Sequence, residues 1–141
     1  MRDSAIVIAR LIFAIVFAIA AWFKFTGMAG TAQLIASVGF PAPLTLAWLA
    51  ALFETALALA LLTGAWFRQA ALIAAAYVLF LGVTFHGPSH WAGNKLEMGL
   101  FIDHFTFIAG LLLAAVVGPG TRVLFQPRRS ATDDQREIVD A

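Results

Sequence analysis

Long apolar runs alternate with short polar or glycine-bearing connections along this chain, and the pattern predicts four membrane-spanning helices at about 5–24, 44–63, 67–85 and 100–117. At about 1.5 Å rise per residue, runs of this length cover a hydrocarbon core of about 30 Å. The second run, LTLAWLAALFETALALALLT, is apolar except for Thr45, Glu54, Thr55 and Thr63, and it places Glu54 near the middle of the bilayer. The third run stops at His86-Gly87-Pro88 and the fourth at Gly118-Pro119-Gly120. The link between the second and third runs is tight, so those helices should be antiparallel neighbours. The first connection carries TAQLIASVGF between glycine and proline breakers, which reads as a short interfacial helix at the mouth of the bundle. Residues 126–141 are polar and aperiodic and read as a disordered tail after a membrane domain of residues 1–125. The first run is read as a retained span rather than a signal peptide, because Arg10 interrupts it and its length exceeds an h-region.

Composition sharpens this picture by exclusion. Of 141 residues, 62% are hydrophobic and 12% charged, which fits an all-α integral membrane bundle and leaves little room for a soluble catalytic domain. The net charge of +1 and the lack of a basic, aromatic-interleaved patch argue against nucleic acid as a partner. With no cysteine, the chain cannot perform dithiol chemistry or hold an iron-sulfur cluster. Arg2, Arg68, Arg122, Arg128, Arg129 and Arg136 flank one side of the spans, against Lys24 and Lys95 on the other. This bias predicts that both termini are cytoplasmic.

A carboxylate at bilayer depth costs roughly 3 kcal/mol, so Glu54 should face the protein and meet a proton or a cation. Helical spacing puts Arg10, Ala14, Phe17, Ala18, Ala21 and Lys24 on one face, and Ala47, Ala51, Glu54, Ala58, Ala65 and Arg68 on another. From axial rise, Arg10 and Glu54 could meet near the midplane, as part of a ligand or proton site or as a registry pair. Lys24, His86, Asp103 and His104 fall at a similar depth toward the opposite end and predict a polar pocket there, with Asp103 orienting or charging a histidine. Tyr77, in the stripe Ala70, Ala74, Tyr77, Leu81 and Thr84, reads as a core residue with its hydroxyl bonded inside, or as the lining of a quinone-sized cavity. His86, His90 and His104 are weak metal candidates, because Gly87 and Pro88 break the helix between the first two.

At these residues the chain resembles the DoxX family of small bacterial membrane proteins. The resemblance rests on Arg10 in an apolar first helix, F-K-F around Lys24 and TAQLIASVGFPAP through Pro43. It continues with F-E-T at Glu54, LLTGAWFR ending at Arg68 and FIAGLLLAAVVGPG closing at Gly120, and together covers Ile8 to about Leu124. It implies a four-helix bundle in the bacterial inner membrane, and a small subunit or accessory of a membrane oxidoreductase system, with quinone as the implied ligand and a redox protein as partner. Where many members carry a Lys-Asn pair entering the last helix, this chain has Asp103-His104, which changes the charge of any carried-over pocket. Rival readings are a non-catalytic scaffold, alone or as an oligomer, and a small-molecule transporter. The absence of proline inside the spans argues against the broken-helix transporter design. Catalysis by this chain alone is not indicated, since it carries no nucleophile or cofactor motif.

Overall fold

A computed structural model describes residues 2–120 of the chain. α1 spans Arg2–Thr26, α2 Met28–Ser37, α3 Pro43–Thr63, α4 Phe67–His86 and α5 Lys95–Val117, with a 3-10 turn at Pro88–His90 before α5. No strand occurs among the described residues, and α1, α3, α4 and α5 are each long and apolar enough to cross a membrane. The expected all-helical four-span bundle is therefore borne out, with α2 as the short extra helix. The stretch read as a disordered tail lies outside the described residues.

Local sequence explains most of the boundaries. Pro43 opens α3 at a position where its missing N–H costs nothing. Gly64 closes the same helix at φ 79°, and its N–H bonds back to the Ala60 carbonyl. α5 begins at Lys95, ahead of the apolar run predicted from residue 100, because the Asn94 side chain accepts from the N–H groups of Leu96 and Glu97. Such a cap satisfies orphan donors of the first turn, so the helix nucleates in polar sequence before it enters the apolar stretch.

Small residues set the packing. α1 lies against α3 through buried Ala14, Ala21, Ala47, Ala51 and Ala58, while Ala18 of the predicted stripe stays exposed. α4 packs along α5, and α2 rests mainly on α3. α5 reaches α1 through an aromatic contact in which Phe107 meets Phe13 edge-on at 5.1 Å between ring centroids. A Cβ on Gly110 would sit 2.9 Å from the Phe13 ring, so glycine is what lets these helices approach. Ile8, Ile12, Ile15 and Ile19 of α1 and Val116 of α5 point outward, an apolar periphery suited to lipid rather than water.

Candidate functional site

Glu54 is 1% exposed and sits at the contact of α3 with α1 and α4. Its Oε1 accepts from Lys24 Nζ at 2.8 Å and from the Tyr77 hydroxyl at 2.8 Å. Three helices thus converge on one carboxylate oxygen. The helical faces explain the meeting: Lys24 ends the buried stripe of α1, Glu54 replaces an alanine in that of α3, and Tyr77 continues the Ala70, Ala74 line of α4. Phe53 supports the Tyr77 ring edge-on at 5.0 Å. Glu54 Oε2 has no hydrogen-bond partner among the described residues. A buried carboxylate oxygen left without a donor costs at least about 1–3 kcal/mol.

Arg10 does not pair with Glu54. Its guanidinium donates to the carbonyls of Leu61 at 3.3 Å, Leu62 at 2.8 Å and Pro119 at 2.8 Å, and lies 5.7 Å from the Phe67 ring centroid. Leu61 is seven residues past Glu54 along α3, about 10 Å of rise, so the two acidic and basic groups lie at different depths. The last carbonyls of a helix lack intrahelical donors and carry its negative dipole end. A forked cation satisfies them better than it could a distant carboxylate.

A cavity of ≈ 580 Å³ opens beside the Glu54 cluster, a size typical of small-molecule sites. Lys24 and Tyr77 line it, and Glu54 lies behind them. Its walls are apolar, with Leu34 and Ile35 from α2, Leu46, Leu49 and Phe53 from α3, and Phe80, Leu81 and Phe85 from α4. Phe40, in the turn after α2, meets Phe80 at 6.1 Å and joins that turn to α4 at the rim.

Thr31 of α2 and two histidines add polar groups to the lining. His86, at the end of α4, and His104, in α5, have ring centroids 5.2 Å apart. His86 Nδ1 lies 2.6 Å from Glu97 Oε2, and His104 Nδ1 lies 2.6 Å from the Leu100 carbonyl. A carbonyl and an ionised carboxylate only accept, so against them each Nδ1 carries the proton and each Nε2 of a neutral ring keeps its lone pair. Trp91 donates to the His86 carbonyl at 2.8 Å and holds the chain as it leaves α4. Gly82 leaves room for His104, since a Cβ there would lie 3.1 Å from its ring.

The other predicted residues do not join this group. Asp103 is exposed on α5, on a different face from His104 one residue later, so it neither lines the cavity nor orients a histidine. That role falls to Glu97, which sequence spacing could not select because His86 reaches it around the Gly87-Pro88 break. Arg68 is exposed, one turn past the small-residue face of α3 and on the next helix. His90 is exposed and its Nδ1 meets Ser89 Oγ at 3.2 Å. Among the described residues no three His, Asp or Glu side chains converge as metal ligands.

Residues 5–87 match the sequence model of the DoxX family. The chain belongs to the DoxX family. Lys24, Glu54, Tyr77 and His86 of this DoxX protein fall within the matched residues, while Glu97 and His104 follow them. Inner membrane protein YqjF of Escherichia coli (strain K12) is 34% identical over 123 residues, covering 85% of this chain and 88% of the relative. Inner membrane protein YphA of the same organism is 29% identical over 121 residues, covering 84% and 86%. No solved structure matches the chain. The DoxX assignment and the four spans make this an integral membrane protein.

Proposed function

We propose that this DoxX protein resides in the bacterial inner membrane with both termini cytoplasmic, and holds a quinone-type molecule as a small subunit or accessory of a redox system. The supporting observation is the ≈ 580 Å³ apolar cavity whose polar lining residues are Lys24 and Tyr77, anchored on a buried carboxylate, Thr31, and the histidines His86 and His104. This donor set fits a quinone head group. Lys24 has ammonium protons beyond the one given to Glu54 and can donate to a ring carbonyl. The Nε2 lone pairs of the histidines can accept from a quinol hydroxyl, and Phe53, Phe80 and Phe85 supply an apolar bed for the ring and its tail. A bound quinone would supply reversible two-electron chemistry; the chain's own residues position it and exclude water. The basic bias of Arg2 and Arg68 supports an orientation with the Arg10 end inside and the histidine end outside.

Thermal unfolding of the detergent-purified protein with decylubiquinone tests this directly, since a ligand bound only by the folded state raises the midpoint. A rise in the wild type that is lost in Lys24→Met supports the reading. No rise with decylubiquinone or decylubiquinol would end it.

A further inference from the structure

The two histidines of the cavity are not equivalent, and the difference lies in what stands behind each ring. His104 gives its Nδ1 proton to the Leu100 carbonyl, which accepts a hydrogen bond but cannot take the proton away. His86 gives its Nδ1 proton to Glu97, a carboxylate in the first turn of α5 that can. Glu97 is partly exposed, and Ser89, His90, Asn94 and Lys95 around that end are all exposed and polar. His86 therefore both lines the cavity and meets a partly exposed carboxylate.

We infer that His86 and Glu97 form a proton-exchange path between the cavity and the aqueous face at the end of α4, which deepens the quinone-binding reading and rests on it. In the releasing direction, an O–H bond in the cavity breaks as the Nε2–H bond of His86 forms, and the oxygen keeps the bonding pair. The Nδ1–H bond breaks as Glu97 gains the proton, and water at the surface removes it from Glu97. One proton enters the ring and one leaves, no electron moves, and the reverse sequence delivers a proton inward. Glu97 steadies the imidazolium formed between the two transfers. The rise of α5 above the end of α4 is what makes the path short: Asn94 starts the helix early enough to hang Glu97 over His86.

Among the described residues, the charged and titratable groups near His86 are few. Glu97 and His104 come from α5, Tyr77 from its own helix, and Lys24 with Glu54 from α1 and α3 across the cavity. His90 of the 3-10 turn, Lys95 and Asp103 are exposed.

Equilibrium binding of decylubiquinol and decylubiquinone, measured between about pH 5.5 and 8 on the intact chain in detergent, tests the path, because this window contains the usual histidine charge change. An unprotonated imidazole accepts from a hydroxyl and an imidazolium does not, so wild-type affinity for decylubiquinol should rise with pH across this window. Decylubiquinone, with no hydroxyl to donate, should show less dependence. His86→Gln should flatten the decylubiquinol profile, and Glu97→Gln should move it, since the ring loses the carboxylate behind it. Binding of both probes with the wild-type slope kept in both variants would overturn the path and leave the cavity reading standing. A slope that survives His86→Gln and vanishes in His104→Gln would overturn it as well. Binding of neither probe by the wild type would end the cavity reading and the path together.

Discussion

At the scale of single residues, the site depends on one carboxylate shared by a lysine and a tyrosine. Removing one partner of a buried pair leaves the other charge uncompensated, at a cost of about 3–5 kcal/mol, whereas replacing both with apolar groups of similar volume is often neutral. Lys24→Met should therefore lower the thermal midpoint much more than Lys24→Met combined with Glu54→Leu. Equal losses in the two proteins, read by unfolding in detergent, would show that the pair carries no coupling. Tyr77→Phe removes a single hydroxyl donor and should cost about 1–2 kcal/mol by the same measurement, since Oε1 keeps Lys24. Gly82 acts differently. Alanine there must push the His104 ring by a few tenths of an ångström, so it should weaken decylubiquinone binding while leaving stability within about 1 kcal/mol. A large loss of stability without change in binding would contradict that role.

At the scale of helices, Arg10 fastens the end of α3 to the chain that follows α5. The Leu61 and Leu62 carbonyls belong to the last turn of α3, and Pro119 lies two residues beyond the end of α5. Arginine serves here because three carbonyls surround one planar fork, a geometry a point-charge ammonium cannot reproduce. Arg10→Lys should keep the fold but lower stability by about 1–3 kcal/mol, a cost of carbonyls left short of donors. A midpoint unchanged by that substitution would mean the carbonyls find donors elsewhere. The Arg10 position was legible in the sequence as a charge carried inward on a small-residue face. Its acceptors were not, because backbone carbonyls leave no mark in a pattern of side chains. Sequence rules favour pairing unlike charges, so they suggested Glu54.

At the scale of the whole molecule, the apolar periphery and the interior site follow from the same helix faces. Large aliphatic residues cover the outside, alanines draw α1 onto α3 and α4 along α5, and the polar residues on the small faces end up inside. α2 contributes only Ile35 to the buried residues yet supplies one wall of the cavity, so it covers the site without building the core. The basic flanks predict that the histidine end faces away from the cytoplasm. A membrane-impermeant thiol reagent should then label Ser89→Cys in intact cells, in a chain that otherwise lacks cysteine. Labelling only after the cells are opened would reverse the orientation, and with it the side to which Glu97 would pass protons.

The sequence by itself determined the four spans, the short helix between the first two, the small-residue stripes and the burial of Glu54, because each follows from apolar length or from period along one helix. It also placed Lys24, Tyr77, His86 and His104 at faces and depths from which a cavity could be lined. Which of them meet was decided only by tertiary structure. Lys24 rather than Arg10 reaches Glu54, and Glu97 rather than Asp103 backs a histidine, because partner choice depends on helix rotation and on the path of the chain around Gly87 and Pro88. Those are properties of pairs of elements, and the periodicity of any one helix does not contain them.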